Sequence, residues 1–258
     1  MRTIFGVTIL LTLCVQAETL PMRMVDKLPG VEVTVGDQKA VFIVDVDANL
    51  IAISPSLAAR LGLNVAEGPV RMPRLRIGSR ELRDVEALVD PFLDRVHHDG
   101  VLGTPAYDRV LLTLDYPAAK IRIENGSLKN GPDVFTCSPE FPNRCAIPIA
   151  LAGEPRLGIL DTGAQRPLLI PREIAAKLPL RGAQKGVTAG PQTGVAAVED
   201  ATLDADVLIG SHRIASPEIT IHDRPRILLG SGLLRRFVIT FDLMHRRVRL
   251  WSGKEPAR

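Results

Sequence analysis

The sequence contains few cysteines and few aromatic side chains, and each shortage excludes a class of protein. Three cysteines in 258 residues are too few for a small disulfide-rich scaffold. Aromatic residues make up only 4% of the chain, and no block of Lys and Arg is interleaved with them, which argues against nucleic-acid binding. The motifs Gly-x-Ser-x-Gly and His-Glu-x-x-His and a glycine-rich nucleotide loop are also missing from the sequence. We therefore expect no metal, no cofactor and no nucleic-acid partner.

Glycine and proline are plentiful, by contrast, with 21 and 20 residues respectively. They punctuate short apolar segments throughout the chain, which is typical of many short strands joined by turns. The hydrophobic content of 46% and the charged content of 24% lie in the range of ordinary globular proteins. The composition therefore predicts a folded, strand-rich protein.

The N-terminus has the parts of a secretory signal peptide. Arg2 gives a positive start, the segment Ile4–Val15 is mainly apolar, and Val15 and Ala17 are the small residues that a signal peptidase recognises. The apolar segment is shorter than the roughly 20 residues that a membrane span needs. We predict a signal peptide over residues 1–17, no stable membrane span after its removal, and a periplasmic or secreted location.

Removal of this signal peptide would leave two cysteines, Cys137 and Cys145. An even pair that is close in sequence, in an exported chain, predicts a disulfide. Metal binding by the pair is the weaker interpretation because no further ligand lies nearby in the sequence.

An internal repeat is the most informative feature of the chain. Four segments recur in the same order: Ile43–Ala48 over Ile159–Ala164, Leu57–Leu63 over Ile174–Leu180, Ile77–Ser79 over Ile209–Ser211, and Val101–Ile123 over Leu228–Leu250. Each copy shows a hairpin, an aspartate-bearing loop, a short helix, an apolar-apolar-Gly segment and a closing hairpin. The repeat predicts an N-terminal lobe over residues 18–126, a linker with the disulfide over 127–145, and a C-terminal lobe over 146–258.

The second copy resembles a lobe of the retropepsin-like and pepsin-like aspartic proteases. The resemblance rests on two apolar residues before Asp161-Thr162-Gly163-Ala164, followed by the segment Ile227–Gly230. It implies a mainly β fold of two pseudo-twofold-related β-barrel lobes with short helices. It also implies that Asp161 and Asp45, one from each lobe, share a proton and activate a water molecule.

The same resemblance implies supporting roles for other residues. Thr162 would tie the two aspartate loops together, and Gly163 would bring a backbone N–H to the carboxylate. Gly103 and Gly230 would let neighbouring chain pass close by. Ala164 stands where a hydroxyl would stabilise the ionised aspartate, so the pair is expected to titrate at a higher pH than in acid-adapted relatives.

The first lobe departs from the family pattern at two positions. Val46 replaces the tying Thr, and Asp47 replaces the Gly, which puts a third carboxyl beside the pair. Such a carboxyl would either face solvent or repel the shared charge. Asp47 could itself be aligned as the catalytic residue, but that alignment breaks the register of the apolar strand before it.

A mobile flap is expected to cover the cleft. The glycine-rich segment 186–194, with Gly190 and Gly194 near its tip, is the candidate in the second lobe. In the first lobe the candidate is the shorter segment Glu67–Leu75, for which a plain surface loop is nearly as plausible.

The leading hypothesis is an exported, single-chain aspartic endopeptidase that acts as a monomer on peptide or protein substrates. A first alternative is a pseudo-protease, in which the cleft binds peptides without cleaving them. A second alternative is an enzyme that is active only when the C-terminal lobes of two chains form a homodimer.

Overall fold

The computed structural model describes residues 17–65, 67–190 and 194–252. Apart from Ala17, the predicted signal peptide lies outside these residues. The fold is mainly β, as predicted, with short helices between the strands. The helices are α1 (Pro55–Arg60), α2 (Pro91–Arg95), α3 (Arg172–Ala175) and α4 (Ser231–Leu234), and a 3₁₀ turn covers Thr104–Tyr107.

The strands divide into those before and those after residue 127. The first group is β1 (Glu18–Pro21), β2 (Arg23–Val25), β3 (Leu28–Val35), β4 (Gln38–Val44), β5 (Ile51–Ile53), β6 (Gly68–Ile77), β7 (Arg80–Val89), β8 (Gly100–Leu102), β9 (Leu111–Asp115) and β10 (Lys120–Glu124). The second group is β11 (Val134–Thr136), β12 (Ala146–Leu151), β13 (Glu154–Asp161), β14 (Leu168–Pro171), β15 (Leu180–Gly190), β16 (Gly194–Leu203), β17 (Asp206–Ile209), β18 (His212–Ala215), β19 (Glu218–His222), β20 (Ile227–Gly230), β21 (Val238–Asp242) and β22 (Arg247–Trp251).

The first lobe is a seven-stranded sheet in the order β2-β3-β4-β8-β5-β7-β6. An additional pairing between β3 and β6 closes it into a barrel. Strand β4 runs parallel to β8, and β5 runs parallel to β7. The parallel pair β4–β8 is the part that supports the aspartate loop, since β4 ends at Val44, directly before Asp45.

The second lobe repeats this arrangement in a nine-stranded sheet, β15-β16-β19-β14-β20-β13-β12-β17-β18. Strand β13 runs parallel to β20, as β4 does to β8, and β14 runs parallel to β19, as β5 does to β7. Strand β12 pairs with β17 as β3 pairs with β6. The sequence repeat therefore corresponds to a repeated sheet topology, which agrees with the expected two-lobed fold.

The two lobes differ in the number of hairpins that their sheets contain. Strands β15 and β16 form a long hairpin in the second lobe that has no separate counterpart in the first. The segment Glu67–Leu75, considered above as a first-lobe flap, is instead almost all strand β6, which pairs with β7 along its length and turns at Gly78. Only Leu75 of this segment pairs with β3, so the candidate is one strand of a hairpin rather than a plain surface loop.

A third sheet joins the lobes, with the order β1-β10-β9-β21-β22-β11. At its centre β9 of the first lobe pairs antiparallel with β21 of the second, and Thr113 lies opposite Thr240. Their buried hydroxyl groups hydrogen-bond at 3.0 Å. Strand β11 lies within the predicted linker and adds to the edge of this sheet, so the linker is more ordered than the sequence suggested.

The apolar core runs through both lobes as one contiguous cluster. Phe42 in the first lobe and Phe241 in the second are both fully buried within it. Helix α1 begins after Ser54, whose hydroxyl accepts from the Leu57 N–H at 3.0 Å. Within the described ranges, no helix is long and apolar enough to cross a membrane.

Candidate active site

The two aspartate loops occupy equivalent positions at the ends of parallel strands. Asp45 follows β4, and its backbone N–H donates to the carbonyl of Leu102 at the end of β8, at 3.0 Å. Asp161 ends β13 and lies opposite Gly230 at the end of β20. The sheets of the two lobes therefore carry both aspartates to the boundary between the lobes.

Each aspartate accepts hydrogen bonds from its own loop. The Oδ1 atom of Asp45 accepts from the N–H groups of Asp47 at 2.9 Å and Ala48 at 3.2 Å. The Oδ1 atom of Asp161 accepts from the Gly163 N–H at 3.0 Å. Backbone donors thus hold both carboxyls in place before any ligand binds.

The carboxyl of Asp45 lies directly over the loop of the opposite lobe. A Cβ atom added to Gly163 would stand 2.3 Å from Asp45 Oδ2, closer than any real contact. Glycine is therefore required at position 163 because the carboxyl of Asp45 fills the space of a side chain. The N–H of Gly163 that donates to Asp161 also acts on Asp45, where it offsets a small part of the rise in pKa that burial causes. The two carboxyls therefore lie around one backbone group.

Removal from water dominates the titration of both aspartates. Burial raises the pKa of Asp45, against the opposing effect of its backbone donors and Arg144. Burial also raises the pKa of Asp161, and the negative charges of Asp45 and Asp47 add to that increase. The mutual repulsion favours a state in which the pair carries one proton.

Thr162 connects the two loops across the lobe boundary. Its fully buried hydroxyl donates to the carbonyl of Val44 at 2.7 Å and accepts from the N–H of Val46 at 3.0 Å. Both partners flank Asp45 in the first lobe. Val46 occupies the equivalent position there and is equally buried, but it has no hydroxyl with which to form a reciprocal connection.

A second polar link across the boundary was not predicted from the sequence. Ser231 donates to the carbonyl of Thr162 at 2.7 Å, and its hydroxyl lies 3.2 Å from the hydroxyl of Tyr116 in the first lobe. Burial raises the pKa of Tyr116, and the charges of Asp45 and Asp161 act in the same direction. Tyr116 is therefore a neutral hydrogen-bonding group close to the aspartates.

Gly103 and Gly230 occupy equivalent crowded positions behind the two loops. A Cβ at Gly103 would stand 2.1 Å from the carbonyl oxygen of Leu50, and one at Gly230 would stand 2.0 Å from that of Arg166. Any side chain at either position would push its aspartate loop out of place.

Asp47 takes the place of the family glycine without strain in its backbone. Its φ is not among the positive values found in the described residues, and its N–H donates to Asp45 as the N–H of Gly163 donates to Asp161. Its side chain is only 11% exposed and forms an ion pair with Arg144. The sequence-based expectation offered solvent exposure or repulsion, and the structure adds a third outcome, pairing with a cation.

Arg144 is the functional candidate that the sequence analysis missed. It lies in the segment 137–145, called here the disulfide loop, whose ends are joined by the bond between Cys137 and Cys145. A cation inside a short disulfide ring was the available signal, but nothing in the sequence indicated that it would contact Asp47, 97 residues away.

The flap candidate is the hairpin of β15 and β16, in which Gly190 lies opposite Gly194. The tip of this hairpin, residues 191–193, lies outside the described residues. Arg166, five residues after Asp161, donates to Asp200 in β16 at 2.7 Å and to the carbonyl of Val187 in β15 at 3.3 Å. Arg166 therefore connects the aspartate loop of the second lobe to the β15–β16 hairpin.

The chemistry available here is that of carboxyl groups and backbone donors. Across the described part of the chain, no group of three or more His, Cys, Asp or Glu side chains is arranged to hold a metal ion. The geometry brings two carboxyls, each with a raised pKa, to the two sides of one backbone N–H at the boundary between the lobes.

One comparison with known proteins, a family-model match in the first lobe, supports this interpretation. Residues 31–106, which include Asp45 and the strands around it, match the family model described as aspartyl protease. A search of curated proteins gave no match. One similar solved structure is a retropepsin-like aspartic protease from Rickettsia conorii, at 18% identity and a TM-score of 0.36, with 44% of this chain and 94% of that chain covered. The first lobe is therefore similar to the aspartyl protease family over residues 31–106, and the second lobe repeats its sheet topology.

Proposed function

We propose that the protein is an aspartic endopeptidase that hydrolyses peptide bonds with Asp45 and Asp161 as its catalytic residues. The observation that carries the proposal is the position of the Asp45 carboxyl over Gly163, next to the N–H that binds Asp161. Two carboxyls in that relation cannot both ionise readily, so one holds a proton while the other is a base.

The proposed reaction follows from that single proton. The ionised carboxylate takes a proton from a water molecule, whose oxygen attacks the carbonyl carbon of the substrate. The protonated carboxyl donates a hydrogen bond to the carbonyl oxygen and stabilises the tetrahedral intermediate. A proton then passes to the leaving nitrogen, the C–N bond breaks, and the pair returns to its singly protonated state.

The chain supplies this pair within a monomer. The first lobe packs against the second through β9 and β21, and Thr162 bonds to both sides of Asp45. These contacts occupy the face that a second C-terminal lobe would need in a homodimer. They favour the single-chain enzyme over pairing of C-terminal lobes from two chains.

The proposal also covers the cellular location of the protein, its substrate and the boundaries of its lobes. The predicted signal peptide and the buried disulfide between Cys137 and Cys145 favour a periplasmic or secreted enzyme. A peptide or an unfolded segment of protein is the proposed substrate, since the flap hairpin would cover an extended chain lying across the aspartates. The lobe boundaries proposed from the repeat, 18–126 and 146–258, are consistent with the two barrel sheets.

A peptide-binding pseudo-protease is the second candidate, and Val46 and Asp47 are the observations that favour it. The first lobe lacks a reciprocal hydroxyl, and it places an extra carboxyl beside the pair. The same cleft would then bind peptides without a competent pair of aspartates.

Digestion of a peptide library by the purified protein separates these candidates. Asp45→Asn and Asp161→Asn should each lower the cleavage rate at least about 100-fold, because each removes a proton-transfer group. Asp37→Asn is a matched control, since the Asp37 side chain is 97% exposed and lies on a turn of the first lobe. Mass spectrometry of the products gives the rate and the cleaved bonds.

Each outcome has a defined meaning. Equal loss with both variants and not with the control supports the proposed pair. Loss with Asp161→Asn alone contradicts it and favours pairing of C-terminal lobes, which sedimentation would detect as an active dimer. Retention of peptides without cleavage by the unaltered protein supports the pseudo-protease.

A further inference from the structure

The Asp47 carboxyl is a buried titratable group for which the proposed reaction has no use. Its Oδ2 atom pairs with Arg144, while its Oδ1 atom is buried and has no hydrogen-bond partner. The N–H of Asp47 donates to the carboxyl of Asp45 at 2.9 Å, so the Asp47 side chain is held close to the proposed catalytic pair. A negative charge so placed repels the charge that Asp45 and Asp161 share.

Arg144 is placed to cancel that charge. Its side chain is 27% exposed and contacts Asp47 directly, and its positive charge also acts on Asp45. The charge of Arg226 acts on Asp47 in the same direction, and its guanidinium group lies over the ring of Phe141, 5.8 Å from the ring centroid. The charged groups that face Asp47 are therefore two arginines and two aspartates.

The disulfide loop holds Arg144 at this position through several independent contacts. The bond between Cys137 and Cys145 closes the loop directly beside Arg144. The guanidinium group of Arg246 donates to backbone carbonyls around it, namely those of Cys137, Ser138, Phe141 and Pro142. The carbonyl of Cys145 accepts from the N–H of Leu160 in β13, one residue before Asp161. The loop is thus anchored to the strand that carries the second aspartate, while its arginine contacts the first lobe.

We infer that Arg144 is a positioning residue that neutralises Asp47 and so sets the pH range in which the Asp45–Asp161 pair holds a single proton. The inference rests on the proposed function for its effect on catalysis. The competing explanation is that Arg144 only fastens the disulfide loop to the first lobe. The two differ in whether removing Asp47 compensates for the loss of Arg144.

Charge exchange at the two positions tests the inference. In Arg144→Gln the loss of positive charge should move the pH profile of kcat/KM to higher pH by about one unit. In Asp47→Gly the unpaired arginine should move it to lower pH by a similar amount. In the double variant, which removes one charge of each sign, the profile should return to within a few tenths of a unit of the unaltered protein.

Two control variants separate charge from anchoring. Arg144→Lys keeps the charge and should leave the profile close to that of the unaltered protein. Arg246→Gln loosens the disulfide loop without removing the partner of Asp47, and its effect should persist when Asp47→Gly is added. A quenched-fluorescence peptide from the library digestion serves as the substrate, and the profile is measured from pH 3 to pH 9.

A second measurement does not depend on catalysis. Urea unfolding should show that Arg144→Gln is destabilised increasingly as pH rises above about 7, because Asp47 of the unaltered protein ionises near pH 7 whereas the unpaired carboxyl keeps its proton to higher pH. The pH dependence of that difference should vanish in the double variant. If the protein cleaves nothing, the proposed function fails while this measurement still decides the inference.

The inference is overturned if Arg144→Gln leaves both the pH profile and the unfolding curves unchanged. It is also overturned if Arg144→Gln has an effect that Asp47→Gly does not reverse, since that result would assign Arg144 to loop anchoring alone.

Discussion

Replacing Thr162 with valine tests how strongly the two lobes depend on a hydroxyl at their boundary. Valine keeps the shape of the side chain but removes the bonds to the Val44 carbonyl and the Val46 N–H. Both groups would then be buried without these partners, at about 1–3 kcal/mol each. We expect the free energy of unfolding to fall by roughly 2–5 kcal/mol.

Two matched variants make this expectation specific. Thr162→Ser keeps the hydroxyl and should cost only about 1 kcal/mol for the lost methyl group. Thr113→Val removes a buried hydroxyl from the pair with Thr240, in the sheet that joins the lobes, and should cost about 1 kcal/mol because the partner hydroxyl can rotate. Equilibrium unfolding in urea at pH 7 gives all three values.

Activity measured beside stability completes this test. Loss of the tie lets the Asp45 loop move relative to Asp161, so kcat should fall in Thr162→Val even where the protein remains folded. The reasoning is refuted if Thr162→Val is as stable as Thr162→Ser, or if Thr113→Val costs the same as Thr162→Val.

Three further outcomes follow from the site. The buried position of Asp47 raises its pKa to about 7, so the folded protein binds an extra proton between about pH 4 and pH 7. Through Asp47, stability should therefore fall as pH rises through that range, by up to about 4 kcal/mol. Asp47→Asn should make the slope in urea titrations shallower by that amount and leave the part due to Asp45 and Asp161, whose pKa values are also raised; an unchanged slope would contradict the assignment. Alanine at both Cys137 and Cys145 should cost about 2–3 kcal/mol at pH 7 and lower the melting temperature, whereas an unaltered melting temperature would show that the disulfide loop is held without its bond. Because burial raises the pKa of both Asp45 and Asp161, kcat/KM should be greatest at mildly acidic to neutral pH, and a maximum below about pH 3 would contradict this.

Much of the fold could be predicted because the chain contains its architecture twice. The matched segments Ile43–Ala48 and Ile159–Ala164 became equivalent strand ends in two similar sheets. The turn glycines Gly78 and Gly210 fall in equivalent hairpins, between β6 and β7 and between β17 and β18. These strand ends and turns could be predicted from the spacing of residues along the sequence, because strands that are close in sequence form them within each lobe.

Features that depend on packing between distant elements could not be predicted from the sequence. The segment that became β6 contains Pro69, Pro73 and several arginines, which suggested a loop, yet it pairs with both β7 and β3. Tertiary pairing overrode a weak local preference there. The contact of Arg144 with Asp47 likewise depends on how the disulfide loop packs on the first lobe. The pattern of charges along the sequence does not indicate that packing.

The pairing of β9 with β21 also has a consequence for how the protein must be made. Until the ribosome has synthesised Val238–Asp242, one side of β9 has no neighbour, and the three-stranded sheet β1-β10-β9 has an edge of unpaired backbone donors and acceptors. Such an edge invites pairing with another nascent chain. A chain that stops before β21 should therefore precipitate rather than accumulate as a half-sized protein, however complete its first barrel is.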